Sequence, residues 1–189
     1  MAIKIYIDQG HNPSSYNTGA EGNGYFEQDI TYRIGILLKG LFDGNPNFET
    51  RLSRPTPDTL LGTSNTTSLT ARVRDANSWG ADLFVSLHTN ASVNPSANGS
   101  ECLIYSYSST EALAVSEDIL EQMTLITGLR DRGIVERPGL YVLRRTAMPA
   151  TVVEMGFITN EEDAELMANS PNLFALGIYR GILRYYGLY

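Results

Sequence analysis

Strand-like and helix-like patterns alternate along nearly the whole chain, and this alternation limits the possible folds more than any single motif. Apolar, β-prone runs at residues 3–7, 48–52, 83–87, 101–105, 140–143 and 150–153 read as six strands. Stripes at helical spacing fall between them. The first is Ile30, Ile34, Leu37, Leu38 and Leu41; the next is Leu69, Val73 and Ala76 behind Ser68. A longer one carries Ala112, Val115, Ile119, Met123 and Ile126, and the last carries Phe174, Ile178 and Ile182. Ser108 with Glu111, and Thr159 with Glu162, have capping-box spacing. Ser170-Pro171 reads as an N-cap followed by proline in the first turn. Residues 53–67, rich in Pro, Thr, Ser, Gly and Asn, read as a surface loop, because the alternation resumes after them. The expectation is an α/β fold: a single domain with a twisted, mostly parallel or mixed sheet of about six strands and helices on both faces.

The bulk properties narrow the function classes. A chain of 189 residues fits one domain, expected over 1–189, and the last helical stripe leaves no room for an added binding module. With 14 Lys plus Arg against 21 Asp plus Glu, the net charge of −7 argues against a nucleic-acid binder or docking on anionic surfaces by charge. No apolar run approaches the ~18 residues of a membrane span. A strand pattern begins within three residues of the N-terminus, with no basic leader or apolar h-region. A single cysteine, Cys102, excludes an internal disulfide.

Both histidines follow strand-like runs. His11 comes after residues 3–7 and Asp8-Gln9-Gly10, and His88 ends Leu83-Phe84-Val85-Ser86-Leu87. Parallel sheets place their chemistry at the carboxyl ends of strands. Two imidazoles at one sheet edge suit zinc, whereas Mg²⁺ and Ca²⁺ take oxygen ligands. A loop histidine bonded to backbone fits the same pattern. A catalytic zinc takes three protein ligands, so the third must be Asp, Glu or Cys. Glu21 lies in the Gly-rich loop after His11; Glu27 begins the first helix, where the dipole also favours an ordinary first-turn acid. Nothing fixes the direction of Glu21, whereas the helix holds the Glu27 side chain in place; periodicity does not choose between the ligand and the first-turn-acid readings of Glu27. Glu154 follows four β-prone residues and reads either as a solvent-facing strand-end acid or as a general base. Cys102 lies within a strand, away from any helix N-terminus, and reads as a buried thiol rather than a nucleophile. There is no Gly-x-Ser-x-Gly elbow, and the glycine-rich segment at 19–24 lacks the P-loop lysine. The eleven tyrosines read as core and rim residues, or as platforms for sugars.

Taken together, these segments resemble the zinc-dependent N-acetylmuramoyl-L-alanine amidases of the type 3 amidase family, in order and over essentially the whole chain. The segments are Ile7-Asp8-Gln9-Gly10-His11, Gly24-Tyr25-Phe26-Glu27, the Leu69, Arg72, Ala76 and Asn77 pattern, residues 81–91 around His88, and Val153-Glu154-Met155-Gly156-Phe157 with Asn160 and Asp163. Gln9 stands where the family usually has Pro, Asn12-Pro13 replace small residues, and Thr89 replaces a commoner Ala. These departures bear on the groove rather than on the ligands.

The resemblance implies one zinc per chain on His11, Glu27 and His88, with Glu154 as general base. The implied reaction is hydrolysis of the amide between the lactyl group of N-acetylmuramic acid and L-alanine in bacterial peptidoglycan. Asn90 and Asn160 are candidates for orienting the site, or else a strand-end turn residue and a helix cap; Arg72 reads as a structural pair. Other expectations are another zinc amidohydrolase or deacetylase, or a non-catalytic cell-wall-binding domain. A wall hydrolase lacking a leader would be released by lysis or through a pore, as an endolysin or sporulation enzyme, or be a fragment of a secreted autolysin. Oligomeric state is left open.

Overall fold

The computed structural model describes residues 2–189. A six-stranded sheet runs β4-β1-β5-β8-β6-β7, built from β1 (Ile3–Gln9), β4 (Phe48–Leu52), β5 (Leu83–Asn90), β6 (Ser100–Ile104), β7 (Asp131–Glu136) and β8 (Ala150–Phe157). Two two-residue strands, β2 (Glu21–Gly22) and β3 (Tyr25–Phe26), form a small hairpin within the Gly-rich loop. β4, β1, β5 and β8 are mutually parallel; β6 is antiparallel to β8, and β7 is parallel to β6. The reversal follows from the connection. Residues 91–99 join β5 to β6 without a helix, and parallel strands need a longer crossover.

Helices cover both faces: α1 (Glu27–Asp43), α2 (Asn65–Trp79), α3 (Thr110–Thr127), α4 (Tyr141–Arg145), α5 (Glu161–Asn169) and α6 (Pro171–Tyr185). Side chains alternate along each strand. Ile5, Ile7, Val85, Leu87, Val153 and Met155 pack with α1, α3 and α6 through residues such as Ile34, Ile119 and Ile178. Tyr6, Phe84, Leu103 and Val152 pack on the other face with Val73 of α2 and Val142 of α4. By the same alternation, Asp8, His88 and Glu154 share this second face, nearer the carboxyl ends of β1, β5 and β8. One face is thus apolar at one end and polar at the other.

Several local expectations are corrected. Residues 140–143 are not a strand; after the Pro138-Gly139 turn they enter α4, whose Val142 and Leu143 are buried. The fifth strand in chain order of the expected six is β7, which has no apolar run because it is a half-exposed edge opened by Asp131-Arg132-Gly133. The loop at 53–67 ends early, because Ser64 and Thr67 form a reciprocal capping box and start α2 at Asn65, ahead of Ser68. Ser108 and Glu111 form no cap: Ser109 is the N-cap of α3, without a side-chain bond. At α5 the cap is Asn160, which accepts from the Asp163 N–H, rather than Thr159.

Candidate metal centre

His11 leaves β1 in the left-handed region, at φ 68°, a costly conformation for a residue with a side chain. Arg72 holds it there. The guanidinium, 1% exposed, donates to the Asp8 carboxylate at 2.5 Å, the Gln9 carbonyl at 2.6 Å and the His11 carbonyl at 2.5 Å. Ser86 donates to the other Asp8 oxygen at 2.7 Å. Burial pushes the Asp8 carboxyl up, but Arg72 and the Ser86 hydroxyl outweigh it and hold Asp8 below its ordinary value. Arg72 is therefore the structural pair expected of it. Asp8 was not singled out in the sequence, where a strand-end acid carries no distinguishing mark.

Glu27 is the first residue of α1 and is 3% exposed. Its Oε1 lies 3.1 Å from His11 Nε2 and 3.1 Å from His88 Nδ1, and accepts from the Thr89 N–H at 2.9 Å. Its Oε2 accepts from the Ala20 N–H at 2.8 Å. Burial raises the proton affinity of Glu27, but the hydrogen bonds and charges of the two imidazoles outweigh it, so the carboxyl is held well below the usual range. Burial in turn lowers that of His88, and Glu27 more than reverses this. The three side chains form a possible metal-binding group, with one ligand atom from each lying within 4.8 Å of the others. Glu21, the rival for the third position, is exposed in β2 and outside the group.

Two glycines make the convergence possible. A Cβ on Gly10 would come within 2.7 Å of His88 Nε2, and one on Gly19 within 2.7 Å of Glu27 Oε2 and 2.9 Å of the His11 ring. Any larger residue at either place would displace a member of the group.

Glu154 lies inside β8 rather than beyond its end, in register with His88 on β5 and Glu101 on β6. Its Oε2 is buried, and no donor reaches it. Burial pushes its pKa up to about 7; His88 works against this, while Glu27 and Glu101 add to it. Two carboxyls in one neighbourhood thus have opposite proton affinities, the arrangement by which acid and base roles are separated. A cavity of about 280 Å³ is lined by His11, His88, Glu154 and, from the far side, Arg137, Leu140 and Tyr141. This far wall was missed in the sequence because residues 140–143 read as a strand.

The remaining candidates lie outside the group. Asn90 donates to Glu101 at 3.0 Å, one strand over from Glu154. Asn160 caps α5 and donates to the Pro95 carbonyl at 2.8 Å. Cys102 is fully buried, and burial pushes its thiol far up, so no thiolate is available. The unusual Gln9 accepts from the Arg54 N–H at 2.8 Å, and Asn12 exchanges two hydrogen bonds with the Leu61 backbone. Both brace the loops behind the site.

An α/β sheet carrying such a group beside a second buried carboxyl has the build of a metal amidase. The family profile Amidase_3, N-acetylmuramoyl-L-alanine amidase, matches residues 5–184, and the chain belongs to that family. It is 35% identical over 189 residues to the N-acetylmuramoyl-L-alanine amidase CwlM of Bacillus licheniformis, covering 98% of this chain and 70% of that protein. It is 33% identical over 172 residues to the endolysin of Bacillus phage SPP1, covering 88% of this chain and 59% of that protein. In structure it is similar to the catalytic domain of CwlV, an N-acetylmuramoyl-L-alanine amidase from Bacillus (Paenibacillus) polymyxa var. colistinus, with a TM-score of 0.86, 29% identity and 99% of each chain covered. An N-acetylmuramoyl-L-alanine amidase from Clostridium difficile 630 gives a TM-score of 0.88 at 28% identity, covering 98% of this chain and 97% of that one.

Proposed function

We propose that this chain cleaves the amide between the lactyl group of N-acetylmuramic acid and L-alanine in bacterial peptidoglycan, with one zinc ion on His11, Glu27 and His88 and with Glu154 as general base. The observation that carries the reading is the convergence of those three side chains beside a cavity that Glu154 also lines, in a chain of the amidase family. The donor set fits zinc: two imidazoles and a carboxylate are the ligand types of a catalytic zinc site that leaves one position open. His11 Nδ1 lies 3.3 Å from the Asn17 carbonyl, which fixes the ring so that Nε2 faces the group. Zinc bound there supplies Lewis acidity, lowering the pKa of water to about 7 and polarising the amide carbonyl.

The chain's own residues do the rest. The Ala20 and Thr89 N–H groups hold the Glu27 carboxylate in one orientation, so it needs no rearrangement to act as a ligand. The Glu154 oxygen that lacks a donor is free to take a proton from the attacking water. It then delivers that proton to the departing L-alanine nitrogen, which leaves as a neutral amine. General acid-base help of this kind contributes ~10²–10⁴-fold. The apolar walls of the cavity, including Leu69, Leu103 and Val152, limit water around these groups.

Digestion of purified peptidoglycan followed by mass analysis is the test. An amidase releases peptides that begin with L-alanine. A deacetylase releases acetate, and a wall-binding domain releases nothing; either result overturns the reading.

A further inference from the structure

Arg137 enters the cavity from the wall that the sequence did not reveal. Its backbone is fixed on both sides: its N–H donates to the Ile104 carbonyl at 2.8 Å, and its carbonyl accepts from the Leu140 N–H at 3.1 Å across Pro138-Gly139. Its guanidinium is nearly unused. The one hydrogen bond it makes is from Nη1 to the neighbouring Glu136 carbonyl at 3.1 Å, and it has no carboxylate partner among the described residues. The other arginine lining the cavity, Arg72, is consumed by Asp8 and the Gln9 and His11 carbonyls. Arg137 is close enough to Glu154 for its charge to bear on that carboxyl. Among the described residues, Arg137 is thus the one arginine lining the cavity that has no carboxylate partner, and it shares the cavity wall with Glu154 in a chain of net charge −7.

We propose that Arg137 binds a carboxylate on the peptide half of the substrate and so selects stem peptides that carry a free acid. The proposal rests on the amidase reading. The chemistry of that substrate says which half is meant. The lactyl carboxyl is consumed in the scissile amide, and the N-acetyl sugars are neutral, so any remaining carboxylate belongs to the peptide. A guanidinium meets such a carboxylate with two parallel donors. The turn at 137–140 fixes the backbone from which that fork extends.

The test compares two soluble muramyl peptides of equal length, one with free peptide carboxylates and one with those groups amidated. The wild-type protein is expected to prefer the free acid. Arg137→Gln should lose about tenfold or more in kcat/KM on the free acid, the scale of a charge-assisted hydrogen bond, and little on the amide. Most of that loss should appear in KM, and Arg137→Lys should recover part of it. Equal losses on both substrates, or no loss on the free acid, overturn the role of Arg137 and leave the amidase reading standing. If the wild-type protein cleaves neither substrate, the amidase reading fails and this proposal fails with it.

Discussion

Glu27 accepts hydrogen bonds from two backbone N–H groups and lies against two imidazoles, whereas Glu154 is buried with an oxygen that no donor reaches. The same side chain is driven to opposite proton affinities by these surroundings. Both residues could be picked out from the sequence as candidates, because Glu27 begins a helical stripe and Glu154 follows an apolar, β-prone run. Their environments could not be, since the partners come from residues 20, 88, 89 and 101, far apart in the chain. Periodicity alone left Glu27 readable as a ligand or as an ordinary first-turn acid; in the fold Glu27 is buried at the start of α1, while Glu21 is exposed in β2. Replacing Glu27 by Ala should therefore deplete zinc after dialysis, and replacing Glu21 by Ala should not. Metal content of the two dialysed variants decides this, and the reverse pattern would move the third ligand to Glu21.

Among the elements, α3 and α6 pack backbone to backbone. A Cβ on Gly181 would lie 2.4 Å from Ile119 Cα, and one on Gly177 would lie 2.5 Å from Met123 Cα. Only glycine permits this separation, and both contacts are to backbone atoms that cannot step aside. Gly181→Ala should push the helices apart and cost ~1–3 kcal/mol. The pair lies on the face of the sheet opposite Glu154, so activity per folded molecule should be unchanged. Denaturant unfolding and kinetics on the same sample check both halves, and an unchanged midpoint would refute the packing argument. Long amphipathic elements such as α1, α3 and α6 were legible from their stripes. β7 and α4 were not: one is an edge strand with too little burial to leave an apolar run, and the other a five-residue helix written in β-prone residues. Propensity yields to context over such short spans.

For the whole molecule, the sequence implied a mostly parallel or mixed sheet, but the direction of β6 depended on a helix-free connection whose course has no periodic signature. The assembled site also leaves a mark on global stability. In zinc-free protein, Glu154 keeps its proton up to about pH 7, whereas the unfolded chain releases it near pH 4.5. The folded state thus binds more protons across that window, and stability falls as pH rises through it, by roughly 3 kcal/mol from this group. Asp8 and Glu27 act with the opposite sign. Their folded values are lowered, so their stabilisation is present above about pH 4.5 and is lost as pH falls further. The melting temperature of the chelator-treated protein should therefore fall between about pH 5 and pH 7, and Glu154→Gln should flatten that slope. Identical slopes in the two proteins would contradict the burial argument for Glu154.

In the proposed reaction, His11, Glu27 and His88 hold the metal while Glu154 moves the proton. Its most direct test pairs zinc content with mass analysis of peptides freed from purified peptidoglycan, for the wild-type protein and Glu154→Ala. Equal zinc is expected in both, and L-alanine-terminated peptides from the wild type alone. Near-normal peptide release by zinc-loaded Glu154→Ala would contradict this assignment.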